Sequence, residues 1–205
     1  DRFKGYLVPV IFVKKNTPKE AVCQVFEKVN TGGVSLTVFE LLTASFAALN
    51  YSLRDDWEIR AGRLKKNRLL AAVQNTDFLQ AIALLVTYTK QLDAIHRDEN
   101  EENIPGISCK RKDILRLTVD DYQNWANKVE KGFGDAARFL YRQHFFDQRD
   151  LPYRTQLVPL AAIFTWLGSA AETDSAQSKL AQWFWCGILG ELYGSSVESR
   201  FARDL

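Results

Sequence analysis

Apolar residues recur along most of the chain at the three-to-four-residue spacing of an amphipathic helix, separated by short polar segments. One segment differs, because residues 7–13 form a continuous apolar, β-branched run that predicts a buried strand. Pro9 favours a position at the edge of a sheet, since proline cannot donate a ladder hydrogen bond. The pattern predicts a mainly α fold, a bundle-like domain of about seven or eight helices with one N-terminal strand.

Helix starts are predicted where a side-chain oxygen can accept a hydrogen bond from the free backbone N–H groups of a first turn. Thr37 followed by Glu40 is a capping box of this kind, and it predicts a helix that runs to about residue 49. Ser52 predicts the start of a helix over residues 53–73, whose exposed face is rich in arginine and lysine. Further helix starts are predicted at Thr17, near Thr76-Asp77, at Thr118, at either Thr173 or Asp174, and at Ser195.

Two later segments suggest how the chain is organised. Residues 78–92 are apolar nearly all round, which predicts a central core helix. Residues 96–112 form the clearest loop, because an acidic half is followed by Pro105-Gly106 and a basic half. We expect a first domain over residues 1–50 and a helical domain over residues 51–205, with this loop as the place where the second could be subdivided.

The composition narrows the class of protein without pointing to a ligand. The chain has 205 residues, 46% hydrophobic and 25% charged, with a net charge of +2. These values are ordinary for a globular protein and too balanced to indicate nucleic acid by themselves. The three cysteines lie far apart, and the apolar runs are shorter than the roughly 18 residues of a membrane span. We therefore expect free thiols, a cytoplasmic protein and no membrane partner.

The turn between the first two predicted helices is the sharpest candidate site. Its residues are Asn30, Thr31, Gly32 and Gly33. Two glycines expose backbone N–H groups shortly before a helix N-terminus, an arrangement that can bind the phosphates of a nucleotide. The alternative is a glycine that ends one helix, followed by a plain turn. No lysine of a Walker loop follows, so the residues alone leave both interpretations open.

A second candidate site is the basic face of the helix predicted over residues 53–73. The candidates for contacts with nucleic-acid phosphates are Arg60, Arg63, Lys65, Lys66 and Arg68. Each cation that neutralises a phosphate adds salt-dependent affinity. A further basic set lies at and after the end of the predicted loop: Lys110, Arg111, Lys112 and Arg116. The alternative is a solvated helix face and a charged loop, in which neighbouring carboxylates balance the cations.

No catalytic group or metal site is complete in the sequence. Only two histidines occur, His96 and His144, which leaves little material for a catalytic triad or a zinc site. Several carboxylates lie in or near first helical turns, where they complement the helix dipole better than they suggest a metal site. These are Glu40, Asp55, Asp56, Asp120 and Asp121. We expect no catalytic residue and no metal ligand in this chain.

The segment FEKVNTGG, residues 26–33, is followed by Leu36-Thr37 and then by Glu40 in the next helix. This order, after an apolar strand, resembles a large prokaryotic family of domains of unknown function that carry a ParB/sulfiredoxin-like front module and occur in GmrSD-type restriction systems. Weaker matches extend the resemblance over most of the chain, at residues 53–60, 77–81, 151–153 and 190–205. The family's Asp-Gly-Gln-Gln-Arg signature and its HNH nuclease motif are absent from the sequence.

The resemblance implies that the chain is the mostly helical, noncatalytic part of a longer protein, downstream of that signature. Residues 1–50 would be a remnant of the ParB-like module, and the Asn-Thr-Gly-Gly turn would border its nucleotide site. The parent protein would bind or hydrolyse a nucleoside triphosphate with Mg²⁺ and control the cleavage of foreign DNA. The expected partners are the missing N-terminal module, DNA and a second copy of the chain. The alternative is a helical module that binds DNA or a protein through the basic helix over residues 53–70.

Overall fold

The computed structural model describes residues 36–97, 101–195 and 197–205. Contacts between residues divide the chain into two units, Asp1–Leu36 and Thr37–Leu205, and the second unit contains all the helices that the structure describes. The strand predicted at residues 7–13, the helix predicted after Thr17 and the turn that begins at Asn30 lie outside the described residues.

The described part of the chain is mainly helical, as the hydrophobic pattern predicts, and none of its residues forms a strand. Its α-helices are α1 (Val38–Ala47), α2 (Leu53–Leu64), α3 (Asn75–His96), α4 (Arg111–Ile114), α5 (Val119–Arg142), α6 (Leu157–Leu167), α7 (Asp174–Leu189) and α8 (Val197–Asp204). Short 3₁₀ helices lie at Glu101–Asn103, Gln148–Asp150, Arg154–Gln156 and Gly168–Glu172. None of the described helices has both the length and the apolar character that a membrane crossing requires.

The core forms where α3, α5 and α6 pack against one another, and α5 with α6 is the most extensive helix pair. Every residue of α3 from 78 to 86 is buried, so the prediction of a central core helix is confirmed. Phe78 of α3 stacks on Phe133 of α5 with ring centroids 6.1 Å apart. Gly132 lets α5 approach α6 closely, because a Cβ atom at this position would lie 2.5 Å from the carbonyl oxygen of Ala161.

Capping explains why several helices begin where the sequence predicts. The hydroxyl of Thr37 accepts a hydrogen bond from the backbone N–H of Glu40, and the Glu40 carboxylate accepts one from the backbone N–H of Thr37. Thr118 and Asp121 form the same reciprocal pair at the start of α5. Thr173 caps α7 through the backbone N–H of Ala176. These local hydrogen bonds between side chains and backbone N–H groups therefore determine where three helices begin.

The basic helix that starts at Leu53 is shorter than the sequence predicts, because it ends at Leu64 instead of continuing to residue 73. The side-chain oxygen of Asn67 accepts a hydrogen bond from the backbone N–H of Leu69 at 2.9 Å. Asparagine thereby offers the backbone a local alternative to helical hydrogen bonds. Residues 65–72 form turns instead of the predicted helix, so the prediction is correct for residues 53–64 and wrong for the remainder.

Glycine and proline residues do not interrupt the later helices. Helix α5 runs without a break through Gly132 and Gly134, where the sequence suggested a bend or a split. Pro159 lies in the first turn of α6, where its missing N–H leaves no helical hydrogen bond unformed. The backbone takes the left-handed conformation at Asn50 and at His144, with φ of 58° and 65°, shortly after the ends of α1 and α5.

Helix α8 and the loop before α4 close one end of the unit. The hydroxyl of Tyr193 donates a hydrogen bond to Asp204 at 2.5 Å, and Arg200 forms an ion pair with the same carboxylate at 2.9 Å. The backbone N–H of Ser108 donates to the Thr87 hydroxyl of α3 at 3.0 Å. The basic end of the predicted loop is thereby held against α3 and lies in the same compact unit as the helices on both sides of it.

Candidate functional site

The predicted nucleotide site consists of Asn30, Thr31, Gly32 and Gly33, and all four residues lie outside the described part of the chain. The structure therefore neither places this turn nor shows its surroundings. The prediction that it borders a nucleotide site stays a prediction.

Arg60, the first of the predicted nucleic-acid contacts, lies inside the protein. Its side chain is 7% exposed and forms ion pairs with Asp56 at 2.7 Å and with Glu130 of α5 at 2.6 Å. Burial opposes the positive charge, but the hydrogen bond to Asp56 and the two nearby carboxylates raise the pKa of Arg60 above its ordinary value. Tyr122 completes the cluster by donating a hydrogen bond to Asp56 at 2.6 Å. The charge of Arg60 therefore joins α2 to α5.

Arg63 lies one turn along α2 and reaches the same Glu130 carboxylate from the surface. Both its Nε and its terminal nitrogen donate to Glu130, and half of the side chain is exposed. The hydrogen bond to Glu130 raises the pKa of Arg63. Arg60 and Arg63 are thus both paired with the Glu130 carboxylate of α5.

The other predicted contacts, Lys65, Lys66 and Arg68, are exposed on the turn that follows α2. Arg68 forms an ion pair with Asp147 at 3.0 Å. Two exposed aromatic residues lie beside this turn, since Tyr141 donates its hydroxyl proton to Asn67 and its ring packs against Phe146. We call Lys65, Lys66, Arg68, Tyr141 and Phe146 the turn surface. It combines cations and aromatic rings, the two groups that single-stranded nucleic acid contacts in proteins.

A larger concave site lies between α3, the loop before α4, α4 itself and α8. Its cavity has a volume of about 610 Å³. Five cationic side chains line it: Lys90, Lys110, Lys112, Arg116 and Arg203. Two carboxylates, Asp113 and Glu198, also line it, so positive charge predominates among its described residues. We call this site the basic cleft.

The two carboxylates of the basic cleft already accept hydrogen bonds within the fold. Asp113 accepts a hydrogen bond from the Ser108 hydroxyl at 2.5 Å, and Glu198 accepts one from the Gln80 amide at 3.3 Å. The ammonium groups of Lys110 and Lys112 are exposed, and no carboxylate among the described residues forms an ion pair with them. A negatively charged ligand would therefore meet lysines that have no competing partner within the described fold.

The sequence pointed to part of this cleft and missed the rest. Lys110, Lys112 and Arg116 belong to the basic set recognised after the loop, while Arg111 lies exposed on α4 outside the lining of the cavity. Lys90 lies on α3 shortly before the loop and Arg203 lies on α8 far beyond it, and neither stands in a recognisable basic motif. Only the packing of these two helices around the loop brings them to the site, so no local signal could have found them.

Apart from these charged groups, the described residues offer few candidates for catalysis or metal binding. They contain no group of three histidine, cysteine, aspartate or glutamate side chains that could hold a metal ion. Asp121 caps α5, and Asp56 belongs to the Arg60 cluster. Burial, followed by the negative charge of Glu198, raises the pKa of the Cys109 thiol to about 12, so this cysteine is protonated at neutral pH. None of the described residues that line the cleft resembles an activated nucleophile.

Comparison with known proteins adds little to this geometry. No protein-family profile matches the chain, and no solved structure matches it. An uncharacterized protein of Methanocaldococcus jannaschii is 22% identical over 212 residues, which cover 97% of this chain and 32% of that protein. The chain therefore spans about a third of the length of this relative.

Proposed function

We propose that Thr37–Leu205 is a noncatalytic helical module that binds nucleic acid through the basic cleft. The observation that carries the proposal is the convergence of five cations and two carboxylates, among the described residues, on one concave surface. A polyphosphate backbone is the common ligand of such a surface, because each neutralised phosphate releases counterions and adds affinity. The small net charge of +2 does not oppose the proposal, since a local patch determines the field that a ligand meets.

The contribution of the cleft can be measured by reversing two of its charges. We expect Lys110→Glu with Lys112→Glu to weaken binding to a nucleic-acid oligomer by at least about tenfold, because two phosphate contacts become repulsive. The slope of log affinity against log salt concentration should fall by about two. Fluorescence anisotropy with a labelled oligomer, repeated at several salt concentrations, measures both quantities.

The matched control for this experiment is Lys65→Glu with Lys66→Glu, which makes the same change in net charge on the turn surface. Both lysines of each pair are exposed, so thermal melts of the two variants should agree with that of the unchanged protein. If binding persists in the cleft variant and disappears in the control, the nucleic acid lies on the turn surface. If neither pair changes the affinity or its salt slope, the nucleic-acid proposal is overturned.

The turn surface is the second candidate for the same function. It contains three of the five residues for which the sequence predicts nucleic-acid contacts, Lys65, Lys66 and Arg68. The exposed rings of Tyr141 and Phe146 beside these cations favour it. We place it second because it offers three cations, one of them paired with Asp147, whereas five cations line the described part of the cleft.

The wider proposal is that the module belongs to a prokaryotic defence protein of restriction type. In that protein it would support a nucleotide- and DNA-dependent nuclease module outside this chain. The support for this role is the resemblance at residues 26–40, together with a relative about three times as long as this chain. The chemistry would then reside in the remainder of the parent protein, and this chain would supply contacts.

A melting experiment with nucleotides tests the wider proposal. A ligand at about 100 times its Kd stabilises a protein by roughly 2.7 kcal/mol, which corresponds to a rise in Tm of about 5–10 °C for a chain of this size. We expect ATP, GTP, CTP or UTP with Mg²⁺ to produce such a shift and Asn30→Ala to abolish it. The Lys110→Glu/Lys112→Glu variant is the control. A shift lost there and retained in Asn30→Ala would assign the nucleotide to the basic cleft, and no shift at all would count against a nucleotide site in this chain.

A further inference from the structure

A second cavity lies next to the basic cleft and is lined mainly by aromatic and aliphatic side chains. It has a volume of about 560 Å³ and lies between α3, α6 and α7. Tyr88, Trp166 and Trp183 contribute its rings, and Lys179 stands exposed among the residues that line it. We call this cavity the aromatic pocket.

The rings of the aromatic pocket are held in place and yet remain accessible. Trp166 is 40% exposed, and its ring meets the edge of Tyr88 with centroids 4.7 Å apart. Core rings of the same unit such as Phe78 and Phe133 are fully buried, whereas the ring of Trp166 remains open to a ligand. The indole N–H of Trp183 has no acceptor among the described residues, although the atom itself is buried. An unmet donor of this kind is costly, and a ligand that supplies an acceptor would relieve it.

The aromatic pocket and the basic cleft are neighbours along two helices. On α3, Thr87 lines the cleft and the next residue, Tyr88, lines the pocket. On α8, Arg203 lines the cleft and the next residue, Asp204, lines the pocket. Successive side chains of a helix point about 100° apart, so the two cavities open on neighbouring faces of α3 and of α8. A ligand that reaches both must therefore be long and flexible enough to pass from one face to the next, as a single strand of several nucleotides is.

We propose that the aromatic pocket holds a base of single-stranded nucleic acid whose phosphates lie in the basic cleft. This inference rests on the proposed function, because the cleft supplies the charge that selects a polyanion. Single strands expose the faces of their bases, and stacking on aromatic side chains is their usual mode of sequence-tolerant recognition. The bases of a duplex are already stacked on each other, so a duplex cannot offer one to Trp166 without local opening. Lys179 beyond the rings would contact the next phosphate of the strand.

The decisive variant is Trp166→Ala in the full chain, with Trp185→Ala as its matched control. The two tryptophans are 40% and 39% exposed, and Trp185 lines neither cavity because it packs against Phe145 and donates to Gln143. The probes are a labelled thymidine oligomer, a duplex of the same length and inorganic polyphosphate, which carries charge without bases. We expect Trp166→Ala to weaken binding of the single strand about tenfold while the duplex and polyphosphate change less than about twofold. Trp185→Ala should leave all three affinities unchanged.

The outcomes separate this inference from the proposed function. If Trp166→Ala alters single-strand affinity no more than Trp185→Ala does, the pocket holds no base, while charge-dependent binding in the cleft still stands. If all three probes weaken equally, the substitution has disturbed the cleft, and Trp166→Phe, which keeps a ring for stacking, should then restore the single-strand preference or overturn the inference. If the unchanged chain binds none of the three probes, the proposed function and this inference fall together.

Discussion

Gly132→Ala should lower the stability of this chain by about 3 kcal/mol, the upper part of the range for overpacking a core. A Cβ atom at this position would lie 2.1 Å from the hydroxyl oxygen of Thr165 and 2.5 Å from the carbonyl oxygen of Ala161. The hydroxyl can rotate away, but the carbonyl belongs to the backbone of α6 and cannot. The whole α5–α6 pair, the most extensive in the unit, must therefore separate or tilt.

The matched control is Gly134→Ala, two residues along the same helix. No atom lies within 4 Å of a Cβ built at Gly134, so alanine meets no obstacle there. Because glycine in a helix interior is about 0.5–1 kcal/mol less favourable than alanine, this variant should be slightly more stable than the unchanged chain. Thermal melts should show Tm lower by about 6–12 °C for Gly132→Ala and unchanged or higher for Gly134→Ala. Similar melts for both variants would contradict the close approach of α5 and α6.

Arg60→Ala is the second substitution with a large expected effect, a loss of about 3 kcal/mol. Removing one partner of a buried ion pair leaves the others without compensation, and such changes cost about 3–5 kcal/mol. We expect the lower end of this range, because Asp56 and Glu130 retain 27% and 18% of their side-chain exposure and can take up water. The bond from Tyr122 to Asp56 would persist and would hold part of the cluster together.

Arg63→Ala provides the comparison, since this arginine also binds Glu130 but is half exposed. Exposed ion pairs are weakened by solvent screening, so this variant should lose clearly less stability than Arg60→Ala. Denaturant titrations of the two variants, fitted with a common slope, give the difference in unfolding free energy. Equal losses would contradict the expectation that burial makes the Arg60 ion pairs worth more than that of Arg63.

The helical elements could be predicted well because the signals for them are local. The capping box at Thr37 and Glu40 and the start of α5 at Thr118 depend on residues within one turn of the helix end. The central position of α3 follows from an apolar character that surrounds the helix, which no exposed helix could tolerate. The end of α2 was not predicted, because the Asn67 side chain accepts a hydrogen bond from a backbone N–H and so competes with the helix. The spacing of apolar residues contains no information about this competition.

The candidate site was predicted only in part, because only some of its residues are close together in the sequence. The sequence shows that Lys110 and Lys112 are basic and lie near a loop, which is enough to nominate them. It does not show that Lys90 and Arg203 face them across a cavity, since helix packing alone brings these residues together. Nor could it show that Arg60 points inward, because its partner Glu130 is 70 residues away along the chain.

The sequence by itself thus determined the helical class, several helix starts and the identity of the core helix. Each of these depends on hydrogen bonds and burial patterns that span a few neighbouring residues. Only the tertiary structure decided which cations hold the fold together and which line an open cleft. That distinction depends on the distances between α2, α3, α5 and α8. A cationic side chain forms an ion pair with a carboxylate only where helix packing brings the two groups within about 4 Å of each other.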